Sequence, residues 1–297
     1  MILQGSAASP PCRNQSARPR KSTISSTESI YYESHMHTTL CRHATGSVDD
    51  YARQAVERGL KGMTVTCHCP LPNRINHESR MAPDELDTYV DLVFRSAAKW
   101  RGRLDIRMGM ESDFAPFLIP YLTELHASRP FSYILGSVHP HAGYFKERYD
   151  TGETPAYRRT YYRMLAEAAE SELFDCLSHP DLIKNIDHAE WDFDRYAPDI
   201  EASLDRIAAA GTCMELNTSG LLKKIKEYNP GRAQLEMMHQ RGIPVVVGAD
   251  AHSAHRVADH FREALDLLTD IGYRTVSLFL DRERRDLAIE QVRPTLR

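Results

Sequence analysis

Three histidines fall within eleven residues in the segment ESHMHTTLCRH, from Glu33 to His43: His35, His37 and His43. In an extended chain His-x-His sends both imidazoles to one side, because strand side chains alternate. Imidazole is a common ligand of zinc, iron and similar metals, and carboxylates add charge that can bridge two ions. Further candidate donors close later β-rich runs. GMTVTCH ends in His68, LDIRMGMES carries Glu111, FSYILGSVH ends in His139, LFDCLSH in His179, and IPVVVGADAH in Asp250 and His252. The run TCMELNT ends in Glu215 and Asn217 instead. One histidine at a strand end is most often hydrogen-bonded structure, but a donor at nearly every strand end points to one shared site.

Eight or nine donors exceed the four to six that a single ion takes, so the set implies two or three ions. Closely spaced ions acidify a bridging water and hold both the attacking and the leaving oxygen of a phosphoryl group. Such a site needs neither a G-x-S-x-G elbow nor a P-loop, and the sequence has neither.

The elements that must position these donors alternate. SIYYESHMH and the runs above read as strands; Val48–Arg58, Pro83–Trp100, Ala156–Ser171, Pro198–Ala210, Pro230–Arg241 and Ala258–Ile271 read as helices, with a last β-like run, TVSLFL, after them. Alternation of this kind calls for a parallel sheet, and seven or eight units favour closure into an α/β barrel. In such a barrel every strand opens its carboxyl end onto one face, so donors far apart in sequence converge there. His126, His188, His239 and His260 fall in helical or polar stretches and read as surface or helix-packing residues.

A chain of 297 residues suits one such unit. With 42% hydrophobic and 26% charged residues it has an ordinary globular composition, and a net charge of −4 gives no basic stripe for nucleic acid. No apolar run approaches the length of a membrane span. The six cysteines form no compact disulfide pattern and no CxxC pair, which fits a reducing compartment, the cytoplasm. Residues 1–27 are rich in Ser, Pro and Arg without apolar periodicity and read as a disordered tail rather than a targeting segment, leaving 28–297 as one domain. Oligomeric state is not legible.

The order HxH, TCH, GMES, SVH, SHPD, ELNTSG and GADAH resembles the polymerase-and-histidinol-phosphatase (PHP) superfamily, and HTTLCRHATGSVDDYARQAVERGLKGMTVTCHCPLP, FDCLSHPDLIK and RGIPVVVGADAH resemble its histidinol-phosphatase branch. The resemblance runs from about Glu33 to about Leu280. It implies a distorted (β/α)7 TIM-like barrel of the PHP type with two to three divalent ions, zinc, iron or manganese. One ion would be held by His35, His37, Glu111 and Asp250, a second by Glu111 as bridge with His139 and His179, and a third by His43, His68 and His252. Glu111, Asp250 and His252 would be catalytic. The implied reaction is hydrolysis of L-histidinol phosphate to L-histidinol and phosphate by a metal-bridging hydroxide, the alternative being another small phosphate ester or nucleotide phosphate. Arg74, Lys184 and Arg256, just past strand ends, are candidates to grip the phosphate.

Three departures from the branch stand out. Cys67 occupies the position of an acid that could orient an imidazole, although a thiol there can equally be strand packing. The segment SVHPHAGYFKERYDTGETPAY, with His141, replaces a shorter aromatic and acidic stretch, and NIDHAEWDF after Lys184 also differs. Loops after barrel strands set substrate choice, so these segments bear on specificity.

Overall fold

The computed structural model describes residues 31–297, and the expected tail at 1–27 lies outside the described residues. Seven parallel strands follow one another in space as in sequence: β1 (Tyr32–Glu33), β2 (Gly62–Val65), β3 (Asp105–Asp113), β4 (Tyr133–Ser137), β5 (Cys176–Leu177), β6 (Cys213–Asn217) and β7 (Val245–Gly248). A parallel bridge between Met36 and Ala251 brings the first strand against the last. There His37 N–H donates to Ala251 O at 2.9 Å and Ala251 N–H to His35 O at 3.0 Å. The result is a nearly closed barrel, as the alternation of elements implies.

Strands β2, β4, β5, β6 and β7 are buried along their whole length, which is why they read as near-continuous apolar runs. The helices α1 (Val48–Glu57), α2 (Leu86–Trp100), α3 (Ile119–Ala127), α4 (Gly143–Tyr149), α5 (Thr154–Glu170), α6 (Phe193–Ala210), α7 (Arg232–Gln240) and α8 (Phe261–Ile271) lie along the chain between and after the strands. Local chemistry sets their ends. Ser47 Oγ accepts the Asp50 N–H while Asp50 Oδ2 accepts the Ser47 N–H, a capping box that starts α1 one step before Val48. Gly211, at φ 73°, takes the left-handed position that ends α6. No helix among the described residues is long and apolar enough to cross a membrane.

Several elements differ from expectation: α3 and α4 are helices the sequence did not single out, α4 within the segment read as a loop, and two further elements depart in detail. Pro198 marks a helix start in the sequence, yet α6 begins at Phe193 and carries Pro198 inside. Tyr196 in its first turn is fully buried and stacks on Trp191 at 5.4 Å, and this packing outweighs the backbone bond that proline forfeits. The run TVSLFL, β8 (Thr275–Leu280), leaves the barrel and pairs antiparallel with β9 (Glu283–Ala288) ahead of a last helical turn, α9 (Ile289–Val292). Phe279 from β8 stacks on Tyr133 at 5.3 Å and joins a small buried cluster with Leu135, Cys176, Cys213 and Val246. Beneath the donor-bearing ends, the barrel is therefore packed with side chains.

Candidate metal centre

The nine expected donors converge, and Glu111 is their hub. It sits on β3, the longest barrel strand, and is fully buried. Its Oε2 lies 2.7 Å from His68 Nδ1, 3.5 Å from His35 Nε2 and 3.7 Å from His37 Nε2. Its Oε1 faces the other way, 3.0 Å from His179 Nε2 and 3.5 Å from His139 Nε2. Asp250 Oδ1 lies 3.1 Å from His37 Nε2, 3.6 Å from His35 Nε2 and 3.4 Å from His252 Nδ1. Donor atoms of His35, His37 and Asp250 lie within 4.8 Å of one another, and so do those of His43, His68 and His252. The His43 and His252 rings stack at 4.5 Å.

Five polar atoms of this cluster are buried without a hydrogen bond: His35 Nε2, His37 Nδ1, His68 Nδ1, Glu111 Oε2 and His252 Nε2. The close approach of His68 to Glu111 is off hydrogen-bond geometry, so both stay unsatisfied. Each such atom costs on the order of 1–3 kcal/mol, and five in one place are tolerated where a further group binds them. Cations fit that requirement, since one ion can take lone pairs from imidazole and carboxylate together.

A PHP domain model matches residues 33–219, which hold seven of the nine donors. The chain belongs to the PHP family. It is 34% identical over 251 residues to a probable histidinol-phosphatase of Deinococcus radiodurans, covering 82% of this chain and 95% of that one. It is 26% identical to a histidinol-phosphatase of Bacillus subtilis, covering 79% of this chain and 98% of the relative. In fold it is similar to a histidinol phosphate phosphatase of Lactococcus lactis, solved with zinc, L-histidinol and phosphate. That likeness has a TM-score of 0.70 at 16% identity and covers 86% of this chain and 98% of the other.

Around the PHP donors stands a supporting layer that the sequence reading assigned no role. Glu215 Oε1 lies 2.7 Å from His35 Nδ1, and its Oε2 accepts the His179 N–H at 2.9 Å. Gly248 makes room for this, since a Cβ there would collide with Glu215 Oε1 and His35 Cβ. Asp113 Oδ1 lies 3.0 Å from His139 Nδ1, Oδ2 accepts from Tyr144 OH at 2.6 Å, and Arg80 pairs with the same carboxylate at 2.9 Å. Glu33 accepts backbone N–H groups of His35, Ala249 and Ala258, which ties the loop after β7 to the first strand. Two donor residues have left-handed backbones, His179 at φ 27° and Asp250 at φ 50°, the kind of local strain that clusters at functional sites.

Electrostatics divide the donors. Burial alone would push Glu111 up, but His68, His35 and His139 hold its carboxyl well below the usual range. Asp250 follows the same logic, with His35 and His37 overriding burial. Burial and the charges of His252 and His68 hold His37 well below its ordinary value, so its ring is neutral. His35 and His139 go the other way, pushed up against their burial by Glu215 and Asp250 and by Asp113 and Glu111 respectively. These two rings must give up a proton to a cation, while the ionised carboxylates and His37 already stand in the binding form.

The donors open into a cavity of about 680 Å³, lined also by Asn76, Glu78, Arg80, His141 and Lys223. His141, from the segment that departs from the branch, stands 5.4 Å from the His139 ring. The three cations expected to grip phosphate are elsewhere. Arg74 is exposed and paired with Asp84 at 3.1 Å. Lys184 is buried, 2.8 Å from both Asp181 Oδ2 and Tyr228 O, and 3.2 Å from Glu227. Arg256 is paired with Asp259. Position just past a strand end did not separate them from Lys223, whose Nζ lies 3.7 Å from Asp250 Oδ2 and 2.9 Å from Ser219 Oγ. Cys67 packs against Thr38, accepting its N–H at 3.4 Å and its hydroxyl at 3.2 Å, which is the strand-packing alternative.

Proposed function

We propose that this PHP protein is a metal-dependent phosphomonoesterase that hydrolyses L-histidinol phosphate to L-histidinol and phosphate. The observation that carries the metal-dependent chemistry is Glu111, whose two oxygens face two different sets of histidines while one of them stays unsatisfied. The substrate is supported by the histidinol-phosphatase relatives from Deinococcus and Bacillus, which this chain matches over nearly their full length.

In this reading His35, His37, Glu111 and Asp250 hold one divalent ion, Glu111, His139 and His179 a second, and His43, His68 and His252 a third. A shell of imidazole and carboxylate accepts zinc, iron or manganese. Bound there, two to three such ions supply an acidified water and positive charge opposite the phosphate oxygens. The chain's own groups do the rest. Glu111 fixes the spacing of two donor sets by serving both. Glu215 and Asp113 hold His35 and His139 by the nitrogen that points away from Glu111, so the opposite nitrogen keeps its direction. Lys223 reaches the cavity and offers an ammonium donor to phosphate oxygens, while Arg80, on the same wall, is held by Asp113. Glu78, on the same wall, offers a carboxylate to the cationic amino-alcohol end of the substrate. Five free, buried thiols among the described residues suit a cytoplasmic setting.

The test joins elemental analysis of the purified protein with phosphate release from histidinol phosphate and from a panel of small phosphate esters. Two to three ions per chain with selective release from histidinol phosphate support the reading. The same ions with a preference for another ester keep the hydrolytic chemistry and move the substrate, with the segment around His141 as the wall responsible.

A further inference from the structure

A second cavity, also about 680 Å³, opens beside the donor cavity and shares Asn76, Glu78 and Gly143 with it. Segments that follow three successive strands build it at the barrel mouth. Asn76 and Glu78 come from the stretch after β2, Phe117 from the turn Pro116–Leu118 after β3, and Tyr144, Glu147 and Arg148 from α4 after β4. Such segments set substrate choice in a barrel of this kind, and α4 lies in the one that departs from the histidinol-phosphatase branch.

The walls of this cavity are fixed. Tyr144 donates its hydroxyl to Asp113, the carboxylate that also faces His139 Nδ1. Phe145, next along α4, is fully buried against Tyr149 and Tyr157, with ring centroids at 4.7 and 5.9 Å. The Phe117 and Tyr144 rings meet edge-on at 6.2 Å, and the Arg148 guanidinium is held over Phe117, 4.2 Å from its centroid. Glu147, by contrast, is exposed and has no ion pair or hydrogen bond among the described residues. Between the two cavities the way is open, since a Cβ at Gly143 would meet nothing within 4 Å.

Across this opening the order is metal donors, then Glu78 on the shared wall, then Glu147 beside two aromatic rings. In histidinol phosphate the order is phosphate, then a short carbon chain bearing an ammonium, then an imidazole ring. We propose that the second cavity receives the imidazole of the substrate, with Glu147 accepting its N–H and Glu78 meeting the ammonium at the passage past Gly143. The inference rests on the histidinol phosphate reading above and deepens it. Neutral and protonated imidazole both carry at least one N–H, so a carboxylate serves either form. The planar ring suits walls made by Phe117 and Tyr144. An ester without the ring gains nothing here, so Glu147 sets specificity and takes no part in the metal chemistry.

The full chain with its metals bound is assayed on L-histidinol phosphate and on O-phosphoethanolamine, which keeps phosphate and ammonium but lacks the imidazole. The readout is the ratio of the two kcat/KM values, with metal content measured alongside. The wild type should favour histidinol phosphate. Glu147→Gln should lower the ratio about tenfold, through a rise in KM for histidinol phosphate. Gly143→Leu should lower it at least as far, by filling the passage. A wild-type ratio in Glu147→Gln, or in Gly143→Leu with metal retained, overturns the inference and leaves the substrate reading standing; equal losses on both esters count as a wild-type ratio. If Gly143→Leu loses metal, Glu147→Gln decides alone. A wild type without preference for histidinol phosphate overturns the substrate reading itself, and the inference with it.

Discussion

Asp113 Oδ1 lies 3.0 Å from His139 Nδ1, while the opposite nitrogen of that ring lies 3.5 Å from Glu111 Oε1. One carboxylate thereby decides which nitrogen of His139 is free to bind. Asp113 is itself pinned by Arg80 and Tyr144, so the imidazole is aimed by a rigid support. Asp113→Asn keeps the shape but weakens the charge that holds both the ring and the guanidinium. Metal affinity and turnover should each fall about 10- to 100-fold. Thermal unfolding should report a loss of about 3–5 kcal/mol, because Arg80 is left buried without its counter-charge. Metal affinity equal to wild type in a chelator competition would sink the orienting role.

Glu111→Ala tests the hub. Because both oxygens serve, one substitution removes a donor from two sites, and the neighbouring histidines lose the charge that draws cations to them. Elemental analysis should find bound metal reduced at more than one site, with turnover of histidinol phosphate abolished. Near-normal activity, or loss of a single ion with the others intact, contradicts the bridging assignment. Circular dichroism must match wild type for either outcome to count.

Lys223 and Arg74 separate a cavity cation from a surface cation. Lys223→Met should lower kcat/KM by roughly tenfold to a hundredfold, the equivalent of losing one charge-assisted contact of about 1.5–3 kcal/mol. Arg74→Ala should leave kcat/KM unchanged, since its guanidinium is spent on Asp84 at the surface. The reverse pattern places phosphate at the far wall and rejects the role given to Lys223.

What the sequence made legible follows from period and order. Nearly every donor sits at or just past a strand end, with His43 in the segment after the Thr39–Cys41 turn as the exception, and parallel strands in a barrel bring strand ends together whatever loops lie between, so little tertiary detail was needed to gather them. The period-two argument used for His35 and His37 applies equally to Glu111 and Asp113 in GMESD, and it would have flagged Asp113 as facing the same side. Glu215 was visible as a strand-end acid, but its task depends on the gap left by Gly248 in the next strand, which only the register of β6 with β7 reveals. The cations were the weakest point. A lysine or arginine near a strand end reaches several ångströms in any direction, and whether it meets phosphate or a local carboxylate is decided by partners such as Asp181, Asp84 and Asp259.

His126 offers a test of the fold that is independent of the metal centre. It is half-buried on α3, its Nε2 lies 3.0 Å from Ser112 Oγ, and its ring meets Phe174 edge-on at 5.8 Å. Burial, helped by the charge of Arg282, pushes its pKa down from 6.5 to about 4. Between those two values the unfolded chain binds a proton that the folded chain refuses, so stability is fully present above pH 6.5 and is lost as pH falls toward 4. The whole shift amounts to at most roughly 3 kcal/mol. His126→Gln removes this titration while retaining a side chain that can bond Ser112. Donor protonation and metal loss at acid pH act on both proteins alike, so the difference between their urea-unfolding free energies isolates His126. That difference should narrow or reverse in favour of the variant between pH 7 and pH 5. Parallel loss of stability in both proteins over that range would show that His126 titrates as an ordinary surface histidine.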